Sequence, residues 1–252
     1  MSALRSSVRR ALVLAAGNGD RFHHTHAHSK LTATVGGVPL LERTLVSARL
    51  AGITEAHLVL GFDADRVREL ALSRAPDDLE LHFHVNPRWS EENGLSVLAA
   101  RDRLDNGPFA LLMGDHLFES RLLKHLLETP REGSAALLAI DSVSTEPRDV
   151  QEATKVRLRG DTITEIGKTL DPFDALDTGV FVCEPPLFEA LDTSCARGDT
   201  TLSAGIADLA RRGLVRGVDI GTASWCDVDT PEDLDAAEAL ANRIGPSSSA
   251  NS

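Results

Sequence analysis

Residues 11–22 read ALVLAAGNGDRF, and Lys30 follows nine residues after Arg21. The apolar run is typical of a buried strand, and it leads into a glycine-containing loop with no bulky side chain between Ala15 and Gly17. Backbone N–H groups in such a loop can contact an anion or the edge of a base, while Arg21 and Lys30 can neutralise phosphates. A nucleoside triphosphate fits this combination of loop and charge.

Two common nucleotide-binding motifs do not match this stretch. A Walker loop would end in Gly-Lys-Ser or Gly-Lys-Thr, and Phe22 stands where the dinucleotide fingerprint needs its third glycine. The stretch instead resembles the L-A-A-G-x-G-x-R…K signature of nucleotidyltransferases, which condense a nucleoside triphosphate with a phosphate monoester. The simpler alternative is that the glycines only form a tight turn between a strand and a helix.

Composition limits the class of protein. The chain has 252 residues, enough for one large α/β domain, and its 26 basic and 38 acidic residues give a net charge of −12 without a long basic block. This charge argues against nucleic acid or an anionic membrane as the main partner. Since there is neither a long apolar run nor a signal-peptide pattern, we expect no membrane insertion and a cytoplasmic protein. We predict one domain over residues 1–244 and a disordered C-terminal tail over residues 245–252.

The order of predicted elements indicates an α/β fold. Strands and helices alternate through the first half of the chain, which is typical of a parallel sheet with right-handed crossovers. Further on, residues 155–158 and 162–166 read as a hairpin, so we expect the sheet to become mixed there. The predicted elements of the first half are strands at residues 11–15, 57–61, 79–85 and 109–116, a strand and turn at 31–39, and helices at 40–51, 64–72 and 95–104.

Three aspartates are candidates for a metal site. Asp115 follows a fully apolar strand, at the edge where open parallel sheets bind their ligands. Asp227 and Asp229 lie two residues apart in an extended segment, so their side chains share a face. Because Mg²⁺ prefers one or two carboxylates together with phosphate oxygens and water, we predict that Asp115 binds it with Asp227 or Asp229. The alternative is that these aspartates only cap helices, the last of which should begin at Thr230 with Asp233 as its capping-box acid.

Other polar residues are candidates for substrate contacts. The loop at 86–96 precedes a predicted helix and offers amides and a hydroxyl, which can read a base or hold an anion; its alternative is an ordinary loop with capping residues. Lys155 or Lys168 can clamp the phosphate of a second substrate, and the alternative for each is a surface lysine. We expect the histidine-rich loop at 23–28 to be mobile and solvated above the triphosphate rather than a metal cluster.

Over nearly its whole length the chain resembles nucleotidyltransferases of the GT-A-like fold. The shared motifs, in order, are LAAGNGDR with Lys30, MGDH at 113–116 and WCDVDTPEDL at 225–234. MGDH and four further motifs resemble the CTP:inositol-1-phosphate cytidylyltransferase family: ENGLS at 92–96, EATKV at 152–156, IGK at 166–168 and DTG at 177–179. The resemblance implies a Rossmann-like GT-A fold, with a mixed, mostly parallel central sheet flanked by helices.

The resemblance also implies roles for individual residues. The cytosine and ribose would lie against the backbone of Leu14, Ala15, Ala16, Gly17, Asn18 and Gly19, and the nucleotide pocket would be completed by Asn86, Asn93 and Ser96. The reacting phosphates would be bound by Arg21, Lys30 and Lys168. The acceptor would be held by Lys155, Lys168, Asp141 and Asp177. Mg²⁺ would be bound by Asp115 with Asp227, as sugar-1-phosphate thymidylyltransferases align, or with Asp229, as the V-[DN]-T-P-E group aligns.

The implied reaction transfers a cytidylyl group from CTP to inositol-1-phosphate and gives CDP-inositol and pyrophosphate. Another sugar, aminocyclitol or choline phosphate with a different nucleoside triphosphate stays open, although the scarcity of aromatic residues disfavours a choline cage. The alternative of another class is a non-catalytic, nucleotide-binding regulatory subunit. A homodimer is a further expectation. Many family members carry a membrane CDP-alcohol phosphotransferase in the same chain, and here we expect such a partner to be a separate chain.

Overall fold

A nine-stranded sheet forms the centre of the protein in the computed structural model, which describes residues 8–19, 28–142, 153–230 and 233–244. The described strands are β1 (Arg10–Ala15), β2 (Thr34–Val35), β3 (Val38–Pro39), β4 (Glu55–Leu60), β5 (Glu80–Val85), β6 (Phe109–Met113), β7 (His116–Phe118), β8 (Ala136–Asp141), β9 (Lys155–Arg159), β10 (Thr162–Gly167), β11 (Ala175–Cys183), β12 (Val215–Asp219) and β13 (Trp225–Asp227). The described α-helices are α1 (Leu40–Leu50), α2 (Ala64–Arg74), α3 (Gly94–Leu98), α4 (Arg101–Leu104), α5 (Ser120–Glu128), α6 (Pro186–Ala196), α7 (Leu202–Arg211) and α8 (Asp233–Ile244).

The sheet is mixed, as predicted, and all its strands except β10 and β11 run in the same direction. Its strand order is β5-β4-β1-β6-β11-β8-β12-β10-β9. The pairs β5–β4, β4–β1, β1–β6 and β8–β12 are parallel, whereas β10 and β11 run against their neighbours. The predicted hairpin forms β9 and β10, which pair antiparallel. The carboxyl ends of β1 and β6 therefore meet at one edge of the sheet, where the glycine loop and Asp115 begin.

The two faces of the sheet are covered by different helices. Because side chains alternate along a strand, Val13 packs on one face and Leu12 on the other. The first face packs against α1, α2 and α5, and the second against α3, α4, α6 and α7. A smaller apolar cluster joins α8 to the hairpin β2–β3 and to β7. This last contact brings the C-terminal segment back to the edge that carries Asp115.

Two predicted elements differ from the structure. The single helix predicted at 95–104 is two short helices, because the backbone leaves the helical region at Ala100. The break directs the Arg101 guanidinium to α6, where it donates to the Phe188 carbonyl and the Asp192 carboxylate, both at 2.7 Å. The strand predicted at 31–39 is a 3-10 turn, Lys30–Thr32, followed by the hairpin β2–β3.

Some predictions fall outside the described residues. They concern Arg21, most of the histidine loop and the tail at 245–252. Among the residues that are described, no helix has both the length and the apolar character that crossing a membrane requires.

Candidate active site

The site begins where β1 and β6 end side by side. The backbone N–H of Gly114 donates to the carbonyl of Leu14 at 3.0 Å, and the Thr44 hydroxyl donates to the Gly114 carbonyl at 3.2 Å. A Cβ atom at Gly114 would lie 2.8 Å from the Leu14 carbonyl oxygen, so this approach requires glycine. The contact fixes Asp115, the next residue, beside the start of the glycine loop.

Lys30 joins three distant parts of the chain. Its Nζ atom lies 2.6 Å from Oδ2 of Asp115 and 2.8 Å from Oδ1 of Asp229, and only 10% of its side chain is exposed. Gly19 lies against the stem of Lys30, since a Cβ there would approach Cγ and Cδ of the lysine to 3.1 Å. With φ at +66°, Gly19 also has a backbone conformation that favours glycine. The glycine loop, the end of β6 and the segment after β13 thus meet at one ammonium group.

The charges at this point are strongly coupled. Burial alone would lower the pKa of Lys30, but the carboxylates of Asp115 and Asp229 outweigh burial and raise it above its ordinary value. Burial works to raise the pKa of Asp115, yet Lys30 holds that pKa below its usual range. Burial raises the pKa of Asp227, and the negative charges of Asp229 and Asp115 add to this effect. Near neutral pH the group therefore carries more negative than positive charge.

This group of residues fits a divalent metal ion. Asp115 and Asp229 each direct an oxygen at the same point, which the Lys30 ammonium fills. Asp227 lies on β13, opposite His116 of β7, and so stands beside Asp115. A hard cation prefers such carboxylate oxygens, and a charge of +2 would balance the excess that one ammonium leaves. Of the two late aspartates, Asp229 is the one that shares the contact of Asp115 with Lys30.

A cavity of about 320 Å³ opens beside the three aspartates. Its volume lies in the range of small-molecule sites, about 300–1,000 Å³. Polar groups from β11, from the start of α7 and from Lys168, just after β10, form part of its wall, so it suits a compact, charged and hydroxylated ligand. The polar lining residues are Glu92, Asn93, Asp115, His116, Thr154, Lys168, Asp177, Thr201, Ser203, Asp227 and Asp229.

The DTG motif shapes one wall of this cavity. Gly179 has φ at +74°, and a Cβ atom there would lie 2.5 Å from the His116 ring, so only glycine leaves room for the imidazole. Nδ1 of His116 donates to the Thr178 carbonyl at 3.0 Å, which fixes the ring beside Asp115. The Gly179 N–H donates to Oδ1 of Asp177 at 2.7 Å, and burial raises the pKa of Asp177 to about 6. Asp177 is thus held in place with an oxygen available to the cavity.

Several predicted site residues contact other protein groups. The amide of Asn86 donates to the Ser96 hydroxyl at 3.0 Å, and both side chains are buried. Oδ2 of Asp141 accepts from the Trp225 indole at 3.0 Å, and Nζ of Lys155 donates to the Lys168 carbonyl at 2.7 Å. In the described part of the chain, Asn86, Ser96, Asp141 and Lys155 are not among the residues that line the cavity. They position the loops and strands that form it.

Asn93 both lines the cavity and binds the backbone of α7. It lines the cavity, and its Oδ1 also accepts from the N–H of Leu202 at 2.9 Å. The N–H of Gly94 donates to the Thr200 carbonyl at 3.0 Å. The two bonds tie the polar loop at 86–96 to the beginning of α7, across the mouth of the cavity.

The cavity wall also contains residues for which the sequence predicted no role, among them Thr154, Thr201 and Trp225. Thr154 and Trp225 stand inside motifs that the resemblance rests on, next to residues with assigned roles. Thr201 caps α7, where its hydroxyl accepts from the N–H of Ala204 at 3.1 Å. A threonine directly before an apolar helical segment is a readable capping signal, but that signal does not show that the helix faces a ligand.

Comparison with known proteins gives matches over most of the chain. Residues 11–158 match the family model described as "MobA-like NTP transferase domain". A "Bifunctional IPC transferase and DIPP synthase" of Rubrobacter xylanophilus is 37% identical over 236 residues, which are 91% of this chain and 51% of that protein. A "CMP-5'-(3-aminopropyl)phosphonate synthase" of Streptomyces rubellomurinus is 33% identical over 250 residues, 91% of this chain and 38% of that protein. The chain therefore spans about half the length, or less, of these curated relatives.

A solved structure shares the fold. The inositol-1-phosphate CTP transferase from T. maritima superposes with a TM-score of 0.84 over 96% of this chain and 98% of its own, at 24% sequence identity. At this identity the likeness concerns the fold alone.

Proposed function

Because the chain belongs to the family of MobA-like NTP transferase domains, we propose that it transfers a cytidylyl group from CTP to inositol-1-phosphate, with Mg²⁺ as its cofactor. The products would be CDP-inositol and pyrophosphate. Family membership confirms the nucleotidyltransferase class and the Rossmann-like GT-A fold predicted from the sequence. The choice of CTP and of the acceptor is supported by the names of the R. xylanophilus and T. maritima proteins and by the matching motifs.

One observation carries the proposal, the ammonium of Lys30 between Asp115 and Asp229. It brings together the glycine loop, Asp115 at the end of β6 and Asp229 near the end of the chain. Lys30 and Asp229 are 199 positions apart. A mere turn between strand and helix would not need a buried lysine and two carboxylates beside it. A phosphate-transfer site needs such charged groups next to a backbone that can approach a nucleotide.

We assign the metal to Asp115 and Asp229, with Asp227 beside them. Nucleotidyltransferases of this family generally use a divalent metal, and the oxygen donors here suit Mg²⁺. Bound at this point, it would neutralise charge on the phosphates of CTP. With a divalent ion balancing these carboxylates, the ammonium of Lys30 would be available to a phosphate oxygen. Lys30 thus has a role in both states, as a cation for the aspartates and as a cation for the nucleotide.

The cavity would receive the acceptor. Lys168 stands on its wall as a cation for the acceptor phosphate, while Asp177 can accept hydrogen bonds from hydroxyl groups of a cyclitol. The carbonyl of Lys168 accepts from Lys155, which fixes the backbone of this loop and leaves the Lys168 side chain to the ligand. Placing the acceptor phosphate in line with the α-phosphorus is then the main contribution of these residues.

The chemistry needs no general base. A phosphate monoester is already anionic at neutral pH, so one of its oxygens can attack the α-phosphorus of CTP directly. The new bond joins that oxygen to the α-phosphorus, and the bond to the bridging oxygen breaks, so the electron pair leaves with pyrophosphate. Stabilising the charge that develops on the phosphates is therefore the principal task of the site.

The experiment is a substrate panel. Purified full-length protein with Mg²⁺ is incubated with each of the four nucleoside triphosphates and with inositol-1-phosphate, glucose-1-phosphate, phosphocholine or no acceptor, and pyrophosphate release is measured. We expect the largest kcat/KM for CTP with inositol-1-phosphate. A preference for another pair would replace the substrate assignment, and the absence of turnover with every pair would favour the regulatory-subunit alternative.

The S. rubellomurinus relative supports a second candidate, a phosphonate acceptor. That protein is named for a CMP-linked aminopropylphosphonate and is nearly as similar to this chain as the R. xylanophilus protein. The panel should therefore include 3-aminopropylphosphonate with CTP. A homodimer and a separate membrane CDP-alcohol phosphotransferase stay predictions, which sizing of the purified protein and co-purification from membranes would test.

A further inference from the structure

A cluster of histidines and glutamates lies on β4 and β5, away from the active site. The two strands pair in parallel register, so Glu55 lies beside Glu80, His57 beside His82 and Val59 beside His84. Because side chains alternate along a strand, all three histidines and both glutamates lie on the same face of the sheet. Neither the predicted transferase reaction nor the cavity uses any of them.

The two glutamates of the cluster sit at the opposite end of the strands from the active site. In the strand register, Glu55 lies beside Arg10 at the start of β1, whereas the glycine loop begins after Ala15 at the end of β1. Five residues of extended strand, at about 3.3 Å each, separate the two positions by roughly 16 Å. A ligand at this cluster therefore cannot be the nucleotide, the acceptor or the metal ion bound by Asp115.

The donor atoms of the cluster are close together. Nε2 of His57 lies 2.7 Å from Oε1 of Glu55, and Nε2 of His82 lies 3.4 Å from that same oxygen and 3.2 Å from Oε1 of Glu80. One donor atom from each of Glu55, His57 and His82 falls within 4.8 Å of the other two. We propose that Glu55, His57 and His82 form a second metal site, which takes a divalent transition-metal ion such as Zn²⁺.

Two of the three donor distances are close to those of a tetrahedral ion, and the third pair, His57 with His82, lies within 4.8 Å. With Zn–N and Zn–O bonds of about 2.1 Å, the donors of a tetrahedral site lie about 3.4 Å apart. The pair of His82 and Glu55 already has this separation, and the pair of His57 and Glu55 has to open by less than 1 Å. The side chains of Glu55 and His82 are 31% and 36% exposed, so these two can adjust while the buried His57 stays in place. Glu80 or a water molecule would supply the fourth ligand.

His84 can accept the ring proton that His57 must carry on Nδ1 when its Nε2 binds a metal ion. Its Nε2 lies 2.9 Å from Nδ1 of His57, the ring nitrogen that does not face Glu55. A metal ion on Nε2 of His57 requires the proton on Nδ1, which then donates to His84. Metal-bound histidines commonly donate their second ring N–H to a neighbouring acceptor in this way. The choice of ion also follows from the donors, because imidazole nitrogen suits zinc, copper or nickel, whereas Mg²⁺ prefers oxygen.

The experiment measures zinc binding to the full chain by competition with a chromophoric chelator. Excess Mg²⁺ is present to occupy the aspartate site. Histidines 23, 24, 26 and 28 are replaced by glutamine in the parent protein, so that the histidine loop cannot contribute. We expect one equivalent of Zn²⁺ per chain. Co²⁺ in place of Zn²⁺ should give the visible absorption spectrum of a tetrahedral site with nitrogen ligands.

Four variants of this parent test the assignment. His82→Ala should weaken zinc binding by at least about 100-fold, and Glu55→Gln, which keeps the size of the side chain, should weaken it similarly; His84→Ala should cost about 10- to 100-fold. His125→Ala removes an exposed histidine of α5 and should leave zinc binding unchanged. All four should keep the pyrophosphate-release activity of the parent. A parent that binds no zinc, or His82→Ala and Glu55→Gln variants that bind zinc as tightly as the parent, would overturn the proposal.

Discussion

Replacing Lys30 by methionine is the sharpest test of how the active site is held together. The variant keeps the aliphatic stem that packs against Gly19 and removes only the ammonium between Asp115 and Asp229. At an effective dielectric constant near 20, one ion pair contributes about 4 kcal/mol at 4 Å. Two such pairs oppose the cost of burying a lysine, which amounts to several kcal/mol. Without the Lys30 ammonium, the carboxylates of Asp115 and Asp229 would lie beside Asp227 with no cation between them.

We expect Lys30→Met to lower the free energy of unfolding by about 3 kcal/mol in EDTA. Removing one partner of a buried ion pair typically costs about 3–5 kcal/mol, and the lower end applies because Asp115 and Asp229 are 23% and 27% exposed and can recover part of their hydration. Urea unfolding followed by circular dichroism measures the change. Lys124→Met, at an exposed lysine of α5, is the matched control and should stay within about 0.5 kcal/mol of wild type.

Mg²⁺ makes this prediction specific. In wild type the ion has to displace the ammonium, whereas in Lys30→Met the point between the carboxylates is open to it. Since a ligand at 100 times its Kd stabilises by about 2.7 kcal/mol, Mg²⁺ should restore much of the stability lost in the variant and add less to wild type. Turnover should still fall about 100-fold, because no ammonium is left to bind phosphate. Wild-type stability of Lys30→Met in EDTA, or an equal effect of Mg²⁺ on both proteins, would refute this account.

Three further predictions concern the aspartates and the cavity. Asp115→Asn should fold, since Lys30 keeps Asp229, but pyrophosphate release should fall at least about 100-fold; near-normal Mg²⁺-dependent turnover would exclude Asp115 as a metal ligand. Lys168→Ala should raise KM for the acceptor and leave KM for CTP unchanged, and the reverse pattern would reject its assignment to the acceptor phosphate. Burial raises the pKa of Asp177 to about 6 from an ordinary value of 3.8, so the folded state binds more protons between these pH values. The stability of wild type should therefore fall relative to Asp177→Asn as pH rises from about 4 to 6, which urea midpoints across that range would show.

Residues at strand ends were the predictable part of the site. The apolar runs before Gly17 and Asp115 are long enough to indicate buried strands, and parallel strands place their carboxyl ends at one edge of the sheet. The glycine loop and the acidic motifs could therefore be predicted from the sequence to lie at one edge of the sheet. The sequence leaves Asp227 and Asp229 as equal candidates, because both lie in one short extended segment. The contact between Lys30 and Asp229 is the basis of the proposed assignment to Asp229.

Side-chain partners made by long-range pairing were not predictable in this way. Asp141 was expected to bind a hydroxylated ligand, but β8 and β13 bring it to the Trp225 indole. Lys155 was expected at the acceptor phosphate, but the hairpin β9–β10 folds the Lys168 carbonyl onto its ammonium. Each partner depends on a register that arises only when the sheet assembles, and no local pattern of residues encodes it.

The two cation sites inferred here differ because the two ends of the sheet carry different donors. At the carboxyl ends of β1 and β6, loops and strand ends supply carboxylate oxygens beside an open cavity, which suits a hard ion that must also bind phosphate. In the amino-terminal halves of β4 and β5, donors come from the strands themselves, and adjacent strands hold a carboxylate and two imidazoles with one donor atom of each within 4.8 Å of the others. Imidazole nitrogens suit a transition metal. Strand-borne ligands cannot move apart to admit a substrate, so an ion there would fasten the edge strand β5 to β4. Zinc should accordingly raise the stability of the protein and leave its turnover unchanged.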